Sequence, residues 1–377
     1  MVTILIRKNY LNLLTMRSYI FIFLTLITFN SYAFNINKKI NVVVPVYETS
    51  EVISKGDAAD DPAFWLNKEN PSKSLIFGTD KRSGIYTYNL KGEELNYLGI
   101  GNINNIDLRT IDIKDDDGNE LGPYSFLFGS NRSTNSLDIW VFSDSDITEL
   151  LNKGNFKIPN QPYISAKSNL KVYGVCAGYD KTFGLIAFLT ADESPKVEVW
   201  SYGPFGMTLL TTFNNANATQ SEGCVYDDEN RRLFISEEQD RGILRSYDIN
   251  DKLDFSSPSI IDDRSGFISG DPEGLTIYKT SLKNGYVLVS SQGDDTFNLY
   301  DRSVPHNYLG SFKISHSNDI DGVTDTDGIF AINFDLNEDF PKGLLVAQDG
   351  TNDGKYEVEK QNFKLVSFSE ILNSLKL

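Results

Sequence analysis

The chain has 377 residues, 52 acidic and 35 basic, for a formal net charge of -17. That balance argues against non-specific nucleic-acid binding, which needs a basic face. Two cysteines exclude a disulfide scaffold and offer no zinc spacing, while 40% hydrophobic and 12% aromatic residues suit a β-rich chain with a large core.

In chain order, the first readable element is a leader. Met16-Arg17 supplies a short basic start, Tyr19 to Phe29 is apolar, and Ser31-Tyr32-Ala33 places small residues where a signal peptidase cuts. The run is short for a membrane span. Residues 1–33 therefore read as a signal peptide, with Met16 as an alternative start. Residues 34–377 read as a single exported domain, periplasmic or extracellular, monomeric by default and without stable membrane association after cleavage.

From there one pattern recurs six times. A short apolar run (LIF, FLF, IAF, LFI, VLV, LLV) leads into a charged tip: GTDKRSG (78–84), GSNRSTN (129–135), LTADESP (189–195), SEEQDRG (236–242), SSQGDDT (290–296) and AQDGTND (347–353). An aromatic-rich alternating run follows each: IYTYNL, LDIWVF, VEVWSY, LRSYDI, FNLYDR and FKLVSF. Short apolar runs and period-two alternation bounded by turn residues mark strands. The unit starts fall near Asp60, Asp107, Tyr173, Glu222, Glu273 and Asp327, roughly 45–65 residues apart, which suits four-stranded propeller blades. The expected fold is all-β: a six-bladed β-propeller with mostly four-stranded antiparallel blades around a central channel.

Cys176 and Cys224 fall on the innermost strands of neighbouring blades, two residues and one residue past a glycine. Period-two alternation points them to opposite faces, so they are expected to stay unpaired.

Acids crowd the inner-strand starts: Asp57, Asp60 and Asp61 in GDAADDP, Asp107 in NNIDLR, Glu222 in QSEG, and Asp271 and Glu273 in GDPEGLT. The densest set is Asp319, Asp321, Asp325 and Asp327 in NDIDGVTDTDG. In a propeller these starts gather at one mouth. Two unit charges about 4 Å apart repel by roughly 4 kcal/mol at an effective dielectric near 20, so such a ring needs protons or cations. All-oxygen donors with only two histidines in the chain suit Ca²⁺ better than zinc or copper. Lys81-Arg82 and Arg132 stand at the first two tips and Arg109 follows NNID; set beside carboxylate-bound calcium, they suit a ligand with several phosphates.

Taken in order, GDAADDPAFW, TDKRSGIYTYNL, NNIDLR, SNRS, VYG, QSEG, SEE, EGLTIY, SSQG, DTDGI, AQDG and QNFKLV resemble the β-propeller phytases, over nearly the whole chain from Asp57 to Phe368. The resemblance implies a 3-phytase, a phosphoric monoester hydrolase acting on the calcium complex of phytate, myo-inositol hexakisphosphate, with several Ca²⁺ ions and metal-activated water. It implies that Asp60, Glu222, Asp271, Glu273 and Asp327 hold active-site calcium, and that Asp61, Asp321 and Asp349 serve stabilising sites. Lys81, Arg132 and Tyr173 then hold phosphate, with Arg82 adjacent and Glu238 at the same mouth. Asp107 joins the metal candidates, and Lys81, Arg132, Tyr173, Glu222 and Glu273 form the catalytic set. One departure stands out: the family's third-blade tip usually reads TGK, where this chain has Thr190-Ala191-Asp192.

Other phosphatase chemistries lack their signatures. His306 and His316 sit in PHN and SHS, outside an Arg-His-Gly motif, and Cys224 to Arg231 misses the Cys-x5-Arg spacing by one residue. The rival readings are a calcium-dependent lactonase on a similar propeller and a non-catalytic propeller that captures polyphosphates or a protein partner.

Overall fold

The structure, a computed structural model, describes residues 38–377 except 116, 204–205, 240 and 353–358. The leader and parts of the fourth and sixth tips lie outside the described residues. Among those described, no helix is long and apolar enough to cross a membrane.

The strands form six sheets, each laid down from the inside outwards. Blade 1 is Ala59–Trp65, Leu75–Asp80, Gly84–Tyr88 and Glu94–Gly99; blade 2 is Ile103–Lys114, Glu120–Asn131, Ser136–Ser143 and Ile164–Lys167. Blades 3 and 4 open with Val172–Asp180 and Cys224–Asp227, blades 5 and 6 with Pro272–Lys279 and Ile329–Ile332. Each inner strand touches the next, and the sixth touches the first, so the ring closes. The expected six-bladed β-propeller is the observed fold.

Closure comes from the start of the described chain. Ile40–Val43 adds in parallel to the outer strand of blade 5, Tyr308–Ile314. Tyr47–Glu48 then becomes the outermost strand of blade 6, pairing Tyr47 with Leu365. Sequence-distant strands are thereby hydrogen-bonded, tying the start of the described chain to the last two blades.

The core lies between blades. Trp65, Phe77, Ile85, Ile103, Leu127 and Trp140 pack blade 1 against blade 2, and Leu288, Phe297, Leu345 and Val366 pack blade 5 against blade 6. Each such side chain contributes about 1.5–3 kcal/mol when fully buried. Two helices lie outside the ring: α1 (Asp144–Asn152), capped by the Ser143 hydroxyl accepting from the Asp146 amide, and α2 (Phe368–Leu375). Phe368 at the start of α2 stacks on Tyr278, with ring centroids 3.5 Å apart.

Four inner strands begin with a break in pairing, between Ala59 and Pro62, Ile103 and Ile106, Val172 and Val175, and Pro272 and Leu275. A β-bulge of this kind re-aims side chains and leaves an amide without its ladder partner. A buried hydroxyl on the second strand of the same blade takes that amide: Thr79 accepts from Asp61 N, Ser130 from Asn105 N, Thr190 from Gly174 N and Ser290 from Gly274 N, at 2.8–2.9 Å. In blade 6 Gln348 plays this part for Asp327 N at 2.7 Å.

The bulge also decides the cysteines. Cys176 and Cys224 form a disulfide, with Cα atoms 5.6 Å apart, contrary to the expectation from alternation. The break between Val172 and Val175 shifts the face count in blade 3, while blade 4 pairs without interruption from Cys224 onwards. Counting in twos across the break put Cys176 on the wrong side.

Candidate active site

Tyr173, Glu222, Glu273 and Asp327 each precede a glycine, and close approach of the inner strands explains why. A Cβ on Gly174 would lie 2.1 Å from the Glu222 carbonyl oxygen, on Gly223 1.8 Å from that of Glu273, on Gly274 2.6 Å from that of Asp327, and on Gly328 2.5 Å from that of Asp60. No side chain fits there, so the backbones nest and the preceding residues crowd around one mouth.

At its centre stands Lys81, from the first tip. Its Nζ lies 2.6 Å from Asp57, 2.7 Å from Asp327 and 3.2 Å from Asp60. Beside it, one carboxylate oxygen from each of Glu222, Glu238 and Glu273 falls within 4.8 Å of the others. Asn104 donates to Glu222, Gln220 to Glu238 and Gln292 to Asp327. Apart from the Lys81 ammonium 3.2 Å from its Oδ2, buried Asp60 has no donor among the described residues, and Glu273 Oε2 has none.

Burial and mutual repulsion set the ionisation. Desolvation first, then neighbouring acids, push Glu222 up to about 8 and raise Asp60, Glu238, Glu273 and Asp327. Burial alone would lower Lys81, but Asp60, Asp327, Glu222 and Asp57 outweigh it and hold the ammonium charged. Tyr173 stays a neutral phenol, kept so by desolvation and by Glu222, Glu238, Glu273 and Asp60. Below this mouth a channel cavity of about 290 Å³ runs between the walls of Leu108, Val175, Leu275 and Ile277, which supply the low dielectric.

Arg132, from the second tip, lies over the Tyr173 ring, 5.4 Å from its centroid, and donates from Nη1 to Asn104 Oδ1 at 2.8 Å. Asn104 thus joins the guanidinium to Glu222. Arg132, Lys81, Tyr173 and the acids therefore form one connected rim.

Other candidates are placed differently. Asp61 accepts from Ile106 N of blade 2 at 3.1 Å, and Asp107 accepts from Ala177 N of blade 3 at 2.8 Å and from Arg109 at 2.7 Å. Both tether one inner strand to the next. Asp271 is ion-paired with Arg264, which also donates to the Glu238 carbonyl at 2.7 Å. Arg82 donates to the Lys55 carbonyl at 2.9 Å on the outer side of the rim. Asp321 and Asp349 do come together, around the buried ammonium of Lys364, at 2.5 and 3.1 Å, with Glu48 at 2.9 Å.

Asn104, Gln220, Gln292 and Lys364 escaped the sequence reading. The first three are neutral amides near strand ends: Asn104 is the second residue of its strand, Gln220 lies four residues before Cys224, and Gln292 directly follows Ser291. Lys364 alternates within FKLVSF like an ordinary strand residue, and nothing local marks its partners.

The oxygen-only donor set fits a bound cation: Asp60 Oδ1 and Glu273 Oε2 are buried without a donor, and one oxygen each of Glu222, Glu238 and Glu273 lies close enough to the others to share an ion.

Comparison with known proteins agrees with this geometry. The chain is 33% identical over 335 residues to the 3-phytase of Bacillus subtilis (strain 168), covering 87% of this chain and 84% of that protein. Among solved structures, a luciferin-regenerating enzyme superposes with a TM-score of 0.52 at 12% identity, covering 86% of this chain and 95% of that one, a likeness of fold alone. The family model described as Phytase matches residues 11–376, and the chain belongs to the phytase family.

Proposed function

We propose that this enzyme is a calcium-dependent 3-phytase, hydrolysing the phosphate monoesters of phytate to lower inositol phosphates and orthophosphate. The observation that carries the reading is the buried acid cluster, in which Asp60 Oδ1 and Glu273 Oε2 lack donors, beside Lys81, Arg132 and Tyr173 in a chain of this family. Oxygen-only, carboxylate-rich donors suit Ca²⁺ over thiolate- or imidazole-seeking metals. Asp60, Glu222, Glu273 and Asp327 would hold it, with Glu238 at the same mouth. Bound there, calcium supplies positive charge against phosphate oxygens and lowers the pKa of an attached water.

The chain's own residues do the rest. Arg132 is fixed from two sides, by Asn104 and by the Tyr173 ring, so its remaining N–H groups are positioned before a phosphate arrives. Lys81 brings a permanent point charge into the same rim. The neutral Tyr173 hydroxyl donates to a phosphate oxygen rather than repelling it. Burial and the neighbouring Glu238 and Glu222 raise Glu273, so protons and a cation would compete for these oxygens. Asp321, Asp349 and Glu48 already have an internal cation in Lys364, which accounts for their burial without a second metal.

Orthophosphate release from phytate, with added calcium and with excess chelator, tests this reading. Release only in the presence of calcium is expected. Phytate binding without any release favours the capture propeller, and lactone opening without phosphate release favours the lactonase.

A further inference from the structure

A cation stands beside the third tip. Lys171 directly precedes the inner strand of blade 3, and its Nζ lies 2.6 Å from Asp192 Oδ2. The same Asp192 oxygen lies 3.4 Å from Arg132 Nη2. One carboxylate therefore holds two cations from adjacent blades, and one of the two stacks on Tyr173.

The geometry points to Lys171 and Arg132 as a rim subsite for a second phosphate of the substrate, with Asp192 holding the two cations in place until that phosphate arrives. This rests on the phytase reading above and goes beyond it in assigning Lys171.

Three observations support it. The tip is fixed in place: Asp192 N donates to the Lys171 carbonyl at 2.8 Å, and Glu193 N donates to Gln220 Oε1 at 2.8 Å. Gln220 in turn donates to Glu238 of the acid cluster, so one side-chain amide joins tip and cluster. Secondly, exposure is divided in the way a binding group needs: the Lys171 side chain is 61% exposed and that of Asp192 12%. The ammonium faces solvent while its anchor is buried.

Thirdly, the pair has little structural purpose. A contact whose ammonium is solvated contributes little to stability, and Lys171 also lies 3.7 Å from the exposed Glu193. A phosphate group carries more negative charge than the carboxylate it displaces and offers three oxygens to a guanidinium and an ammonium together. Phytate carries six phosphates on one ring, so one bound among Lys81, Arg132 and Tyr173 leaves others to reach the adjoining rim.

Steady-state kinetics of the full, calcium-loaded chain test the assignment. Lys171→Gln is expected to raise KM for phytate about five-fold, the size of one solvent-exposed charge contact, with kcat within about two-fold of wild type. Lys171→Arg is expected to restore KM. An unchanged KM in Lys171→Gln, or a loss confined to kcat, overturns the subsite. Wild-type protein that releases no orthophosphate contradicts the proposed function instead. Calorimetric titration of phytate into wild type and Lys171→Gln then still reads the subsite, where about five-fold weaker association supports it and equal association overturns it.

Discussion

Glu273 is the residue on which the most arguments meet. It is buried, its Oε2 lacks a donor, its carbonyl fills the space that Gly223 leaves open, and burial with Glu238 and Glu222 beside it raises its carboxyl. Glu273→Gln keeps the shape and removes the charge. It should lower phytate turnover by about 100-fold or more, as loss of a charge-stabilising group in an active site does. In chelator at pH 8 it should melt above wild type, because an uncompensated buried carboxylate is gone; a lower melting temperature would contradict the account. Lys364 behaves oppositely. Lys364→Met leaves Glu48, Asp321 and Asp349 buried without their cation and should cost about 3 kcal/mol, read by denaturant unfolding. Several acids of the mouth were legible because they stand next to a glycine at a strand start, as in Glu222-Gly223, Glu273-Gly274 and Asp327-Gly328. Lys364 was not, since its partners lie 15 to more than 300 residues away and only blade closure assembles them.

At the scale of the elements, bulge and disulfide work on the same strands. Tyr173 sits inside the blade 3 bulge, and Cys176, a few residues on, is bonded to the strand that Glu222 leads into. The bridge therefore ties together two strands that carry rim residues. The double replacement Cys176→Ser, Cys224→Ser should lower stability by about 2–4 kcal/mol, given a separation of 48 residues, and thermal melting of the oxidised wild type beside the variant checks this. Equal melting would mean that the bridge constrains nothing. Strands and blade order were readable from apolar runs and alternation. The bulges were not, because a one-residue slip in pairing leaves no trace in hydropathy and shows only in the partner strand. The buried hydroxyls that accept the bulge amides, such as Thr190 and Ser290, stood in plain view at the ends of apolar runs, yet they look like ordinary turn residues there.

For the whole molecule, the ring is what turns scattered acids into one site, and the seam at Tyr47–Glu48 is what closes the ring. Closure was not legible, because the strand that completes blade 6 lies more than 300 residues from its partner. The charge that gathers at the mouth sets a pH dependence whose sign follows from the raised carboxyls. Glu222 titrates near 8 in the folded chain against 4.5 when exposed, and Asp60, Glu238, Glu273 and Asp327 are raised as well. Between those limits the folded state binds more protons than the unfolded one, so metal-free stability is greatest near pH 5 and is lost as pH rises through 8. A divalent cation does the work of those protons, and its affinity grows as they leave. Thermal melting from pH 5 to pH 8, in chelator and in millimolar calcium, measures this competition directly. The account predicts a melting temperature that falls with rising pH in chelator and stays level in calcium; two curves that coincide across the range would contradict it.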